Sequence, residues 1–256
     1  MPANYAHNRF GKLVMACPGE WLKKYERLFL AGCHGPDPLF YYDPFGPNEI
    51  RDLAEKIHGT SGKILFTDLC QVVREETEGP GWAFLFGLLA HYCLDSSCHP
   101  TVNALHESGE CNHTELETEF DRFLMELDGI SRPHTRDLGR HMKLTEAECA
   151  VAASLFPPLT PEQYTRCTEK MRRGTALMSG KKVPRFLLER VLPRYGPTVA
   201  CQLMCKKANP RVAYKNPELL TLFDRGVELY PVLAAELDGL LRQGTPLSDR
   251  FLPDFD

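Results

Sequence analysis

The stretch GWAFLFGLLAHYCLDSSCHP, residues 81–100, decides the fold class. Apolar residues run without a break from Gly81 to Ala90, and then two histidines and an aspartate follow at steps of four: His91, Asp95 and His99. On an α-helix, residues four apart drift by only about 40°, so the three share one face within roughly 80°. The near-apolar run, about residues 81–94, is too short for a bilayer span of about 20 residues. It reads as a core helix with a polar line on it. Burying those three groups unpaired costs several kcal/mol each, and charged side chains are rarely buried without partners. Neutral imidazole and carboxylate are the nitrogen and oxygen ligands of zinc and related divalent ions. One metal would satisfy all three; three separately hydrogen-bonded polar residues are the plainer alternative.

A second string repeats the geometry. His113, Glu117 and Asp121 again stand four apart, with Leu116, Phe120, Leu124 and Leu127 marking the packing side. His113 and Glu117 are placed to chelate one ion. Asp121 reads as a further ligand or as a partner that orients a histidine. Elsewhere, Asp37 lies between Pro36 and Pro38, a stiff loop suited to holding a carboxylate still. His58 ends an amphipathic segment just before Gly59, where a helix-terminal histidine facing the dipole is common. His7 reads on its own as a residue near the terminus.

The rest of the chain is helical in pattern. Apolar residues recur at spacings of three and four in 18–31, 48–59, 61–77, 113–127, 145–155, 160–178, 183–191, 196–207 and 216–242. Thr160-Pro161-Glu162 and Asn216-Pro217-Glu218 both read as an N-cap followed by proline at the first helical position. Period-two alternation is scarce, so no strand is expected. No stretch looks like a domain linker. The expected fold is all-α, one globular domain over residues 1–256 with about ten helices.

Composition limits the function classes. The 256 residues are 43% hydrophobic and 25% charged, with a formal net charge of −4, which is ordinary for a globular protein and wrong for a general polyanion binder. Lys181-Lys182 with Arg185, or Lys206-Lys207 with Arg211, could form a small basic patch, although solvated helix ends are the plainer reading. The ten cysteines include no C-x-x-C pair, which fits a reduced, cytoplasmic chain better than a disulfide framework. MPANYAHNRFGKL has no export-signal pattern.

In this order, His7, Gly35-Pro36-Asp37, His58, the H-x-x-x-D-x-x-x-H-P string 91–100 and the H-x-x-x-E string 113–117 resemble the zinc-dependent phospholipase C family, a relative of the fungal single-strand-specific nucleases. The resemblance covers about residues 5–125. It implies an all-α fold around zinc ions. His58, His91 and Asp95, with Asp37, would hold one ion, and His99, His113 and Glu117 a second. His7 would hold a third, bridged by Asp95. In the family that third ion also takes the terminal amino group; here removal of Met1 would expose Pro2, so two ions with His7 as an extra ligand is the variant. Clustered zinc makes hydroxide near neutral pH and clamps phosphate oxygens, and the resemblance implies that Asp37 orients or deprotonates the attacking water. The expected activity is phosphoester hydrolysis, on a phospholipid or a soluble phosphodiester.

The alternatives are a zinc nuclease, against which the acidic balance argues, and a non-catalytic metal-stabilised helical binding protein. Shared carboxylates favour an open, catalytic site over the closed four-ligand structural kind. Cys98 could be a soft ligand, but core is expected. His34 and His106 are read as loop residues, and His134 and His141 receive no role. Tyr41, Tyr42 and Phe45 could stack on a base or a quaternary ammonium group, though packing is the plainer reading. No amphipathic membrane-binding helix with a lysine-rich face stands out, and the sequence leaves the oligomeric state open.

Overall fold

The computed structural model describes residues 4–44 and 46–255. In order the helices are α1 (Asn4–Val14), α2 (Glu26–Gly32), α3 (Glu49–His58), α4 (Gly62–Val72), α5 (Pro80–Glu107), α6 (His113–Leu127), α7 (Glu146–Ser154), α8 (Pro161–Met178), α9 (Arg185–Val191), α10 (Pro197–Cys201) and α11 (Asn216–Gln243). Short 3-10 turns join several of them, one being Asp37–Tyr41. No strand occurs among the described residues, and no helix there is long and apolar enough to cross a membrane.

α5 is the axis of the fold. It runs 28 residues, through Pro100 to Glu107, well past the near-apolar run of about residues 81–94. α2 packs on one side of it and α11 on another. A helix apolar all round must be covered all round, and Phe84, Leu85, Leu88 and Leu89 are fully buried. α2 meets α5 backbone to backbone. A Cβ on Gly32 would lie 2.2 Å from the Phe84 carbonyl oxygen, and one on Gly87 2.1 Å from that of Phe29. Only glycine permits this approach. It holds Cys33 and the loop behind it against the polar line of α5.

α1 is a helix that the spacing of apolar residues does not announce. It packs on α5, α6 and α11, with the Phe10 ring edge-on to Phe223 and Tyr230. Beyond α11 the chain returns across α4 and α5. Phe251 stacks on Tyr92 at 5.9 Å, and Phe255 packs edge-on against the same ring at 5.1 Å. One apolar core therefore runs from Ala6 to Phe255. A second, smaller one gathers Leu188, Leu192 and Leu203 beneath α9 and α10.

Thr160 caps α8 as its sequence suggests, and Gln163 completes a capping box. Asn216 does not cap α11. It is the first helical residue, buried, and its side-chain amide donates to Glu119 at 3.2 Å. Tertiary partnership outcompetes the local cap there.

Candidate metal centre

All eight expected residues converge. α5 supplies the middle of the site: Asp95 lies 3.0 Å from His91 Nε2 and 3.7 Å from His99 Nε2. From the Asp37–Tyr41 turn, Asp37 approaches His58 Nε2 at 3.3 Å and His91 Nδ1 at 3.7 Å. His7 Nε2 stands 3.3 Å from Asp95 and 4.0 Å from Asp37, its ring stacked on His91 at 4.4 Å. At the other end Glu117 lies 3.0 Å from His113 Nε2 and 3.4 Å from His99 Nε2. Three groups bring ligand atoms within 4.8 Å of one another: His7, Asp37 and His91; His58, His91 and Asp95; His99, His113 and Glu117.

The backbone explains why each ring points inward. His58 Nδ1 meets the Ala54 carbonyl at 2.9 Å, His91 Nδ1 the Cys33 carbonyl at 3.3 Å, and His99 Nδ1 the Phe255 carbonyl at 2.6 Å. His113 Nδ1 meets Asn103 Oδ1 at 2.9 Å. Each acceptor fixes the proton on Nδ1 and leaves Nε2 as the lone-pair nitrogen aimed at the carboxylates, the usual outer support of metal-bound histidine. Gly35, at φ +48°, makes room for this: a Cβ there would sit 2.5 Å from the His91 ring.

The charges do not balance within the protein. Asp37, Asp95 and Glu117 are buried, and among the described residues their ion-pair partners are the five histidines alone. Burial opposes ionisation of Asp37 and Asp95, but His91 and the other imidazoles outweigh it and hold both carboxyls below the usual range. His113 does the same for Glu117. Burial pulls His7 down to about 4, against the upward pull of Asp95, so it stands neutral. Burial also opposes a charge on His91, but Asp95 and Asp37 win and raise it. His91 Nε2, His113 Nε2, Asp37 Oδ2 and Glu117 Oε2 are buried without a hydrogen-bond partner. Orphaned donor-set atoms facing one another around three buried negative charges are what a divalent cation satisfies. The residues fit zinc in kind and number.

Asp121 has a different task from its two neighbours in the string. Its oxygens accept the backbone N–H groups of Tyr5 and Ala6 at 2.9 and 2.8 Å. Those are unsatisfied donors of the first turn of α1. Tyr5 and Arg9 also reach Asp128. α6 thus clamps α1 and points His7 into the site. Burial pushes the Asp121 carboxyl up to about 8 against these bonds.

Other expectations resolve plainly. Cys98 is buried beside the site, its thiol pushed up by burial, and belongs to none of the three ligand groups. His106 meets the Cys111 carbonyl at 3.2 Å, a loop role. Tyr42 packs beneath the Arg166 guanidinium, 4.7 Å above its ring, and so is not a free stacking face. Tyr41 is buried and senses both Asp37 and Glu117. It lines a cavity of about 50 Å³ with Asn4, Thr114, Asp121 and Arg136. Phe45 and Pro2 lie outside the described residues.

Two features carry no sequence signal. The C-terminal segment roofs the site: Phe255 donates its N–H to the His58 carbonyl at 3.0 Å and packs on the His58 and His91 rings. His34, fully buried, stacks on His141, their Nε2 atoms 2.5 Å apart. Each pairing spans more than a hundred residues of chain.

An all-α fold wrapped around a histidine–carboxylate cage defines a class of metal-dependent helical proteins. The family model for zinc-dependent phospholipase C matches residues 3–154, and the chain belongs to that family. The matched segment contains α1 to α7 and all eight cage residues. No curated protein and no solved structure gives a significant match.

Proposed function

We propose that this chain is a zinc-dependent hydrolase of phosphodiesters, phospholipase C-like, working as one unit over residues 1–256 in the cytoplasm. The observation that carries the reading is the set of buried, unpartnered Nε2 and carboxylate atoms aimed at a common centre. His58, His91 and Asp95, with Asp37, would hold one ion. His99, His113 and Glu117 would hold a second, and His7 with Asp95 a third. Zinc held there would supply the positive charge that acidifies water and offsets charge on a phosphoryl group.

The chain's own groups do the rest. Asp37 is ionised and its Oδ2 is unpartnered, so that oxygen orients the attacking water and takes its proton. The carbonyls of Ala54, Cys33 and Phe255 keep three rings from turning, and a fixed site spends no energy on reorganisation during reaction. Phe255 keeps bulk water off His58 and His91. The cavity lined by His7, Asp95, His99 and Glu117 lies at the cage and is the place for the phosphoryl group. All ten cysteines stand free, which supports a reducing compartment.

Elemental mass spectrometry on untagged protein, paired with hydrolysis of a chromogenic phosphodiester, tests this. Two or three zinc ions per chain are expected, with zinc and hydrolysis both falling in His91→Ala and Glu117→Ala. Metal-free protein whose melting temperature ignores added zinc would sink the reading. Full zinc loading with no hydrolysis of any phosphoester would leave a metal-stabilised binding protein instead.

A further inference from the structure

The cavity beside Tyr41 shares its walls with the cage. On α1, Asn4 precedes His7 by three residues, and in the turn that holds Asp37, Tyr41 follows by four. On α6, Thr114 precedes Glu117 by three and Asp121 follows it by four. Residues three or four apart lie on one helix face, one turn of about 5.4 Å from each other. Three elements that carry cage residues therefore also line this cavity, about one turn further on. Tyr41 senses the charges of both Asp37 and Glu117, as that spacing requires.

The opposite wall has the other sign of charge. The loop after α6 brings His134 and Arg136 to the cavity. Arg136 donates to the Ser131 carbonyl at 3.1 Å and forms no ion pair with a described carboxylate. His134 Nδ1 is buried without a hydrogen-bond partner. Burial first, and then Arg185, Lys206 and Arg132, hold that imidazole below its ordinary range, so cations surround it from three segments. Asp121 is the one carboxyl lining the cavity among the described residues. It spends both oxygens on the N–H groups of Tyr5 and Ala6, and burial pushes it up to about 8, which leaves it largely uncharged at neutral pH. The loop itself is strained. Arg132 stands at φ +52° and ψ +60°, a left-handed conformation uncommon for a residue with a Cβ. Such strain persists where the surrounding structure over-determines it, often at a ligand site.

We infer that this cavity is a subsite for a second phosphate on the substrate, set a few bonds from the phosphodiester that is cut and held by Arg136 and His134. This rests on the hydrolase reading and names its substrate class: a phosphodiester that carries a further phosphate. With the phosphoryl group at the cage, the second phosphate lies about one helical turn away, a separation that a three-carbon spacer covers. Arg136 supplies charge-assisted hydrogen bonds, with the planar fork that matches phosphate oxygens. The unpartnered His134 Nδ1 supplies another. A neutral group in the cavity would leave both without a partner, and a cationic one would be repelled by Arg136.

The test is calorimetric titration of the zinc-loaded full chain with glycerol 1-phosphate and with glycerol 1,3-bisphosphate, neither of which needs turnover. The bisphosphate should bind about tenfold tighter, the worth of one charge-assisted hydrogen bond at an open mouth. Arg136→Ala should bring the ratio of the two affinities to about one, and Arg136→Lys should restore part of it. Arg136 is exposed and bonds only to a loop carbonyl, so an unchanged melting temperature checks that the variants fold. A companion assay compares kcat/KM for the p-nitrophenyl phosphodiester of glycerol with and without a phosphate on the distal hydroxyl. The same tenfold preference is expected, with the same loss in Arg136→Ala. Equal binding of the two glycerol phosphates by the wild type would overturn the inference, and so would a full preference retained in Arg136→Ala. Binding of inorganic phosphate that depends on Arg136, with no preference for the bisphosphate, would also overturn it, because the cavity would then hold a free anion. Preference for the bisphosphate with no hydrolysis of either diester would keep the anion subsite and sink the hydrolase reading instead.

Discussion

Gly87→Ala is the sharpest probe of how this fold positions its site. The new Cβ would sit 2.1 Å from the Phe29 carbonyl oxygen, about 1.3 Å short of the 3.4 Å at which ordinary contact begins. Backbone cannot rotate away as a side chain can, so α2 and α5 must part by about that distance. Overpacking of this kind costs about 1–3 kcal/mol, sometimes more, and alanine's better helix propensity returns about 1 kcal/mol. A net loss of about 1 kcal/mol, the middle of that range, lowers the melting temperature of a chain this long by roughly 2–4 °C. The separation also pulls Cys33 from His91, whose Nδ1 lies 3.3 Å from that carbonyl, so zinc affinity should fall in step. The control is Gly239→Ala on α11, where the nearest atom to a new Cβ is 3.8 Å away. That change should be neutral or stabilising by up to about 1 kcal/mol. The assay is thermal melting by circular dichroism, with and without added zinc. If Gly87→Ala melts with or above Gly239→Ala, the two helices are not in backbone contact and the account of the His91 support fails.

Chelation should lower the melting temperature, because three buried carboxylates lose their counter-charge; at free zinc a thousandfold above Kd the stabilisation lost is about 4 kcal/mol, and a chelator-insensitive melt would contradict the cage. Glu119→Ala should cost about 1–3 kcal/mol by removing one of the two carboxylates that pair with buried Arg122, Glu126 remaining at 2.6 Å. Glu119 also accepts Asn209 N–H at 3.0 Å and the Asn216 amide at 3.2 Å, so limited proteolysis should begin cutting near Lys206-Lys207 in the variant; an unchanged digest would show that the segment is held by other contacts. Asp121 gives a pH prediction. Its folded carboxyl is raised to about 8 by burial, so the folded state binds more protons than the unfolded one between about pH 4 and 8, and this group's contribution to stability falls as pH rises through that window. Asp121→Asn should flatten that part of the stability–pH curve, measured as the difference from wild type in urea melts; parallel curves would refute the assignment.

Much of the fold is local chemistry. The α5 and α6 strings are legible because a helix converts a four-residue spacing into one face, and that is where His91, Asp95, His99, His113 and Glu117 lie. Thr160-Pro161 marks the start of α8 because a cap needs only its own neighbours. α1 escapes that reading because its register is set from outside, by Asp121 and Asp128, and without it His7 looks like a terminal residue. Asn216 misleads for the same reason, since it is buried against Glu119 across the fold, which accepts from its side-chain NH2.

The sequence by itself determined the all-α class, the ligand types and their order along the chain, since residue chemistry and helical period are properties of short segments. Only the tertiary structure decided that eight of them meet. It also decided that carbonyls from Ala54, Cys33 and Phe255 aim the rings. Contacts such as Phe255 with His58, or His34 with His141, form when packing buries apolar surface far apart in sequence, and no periodicity records them.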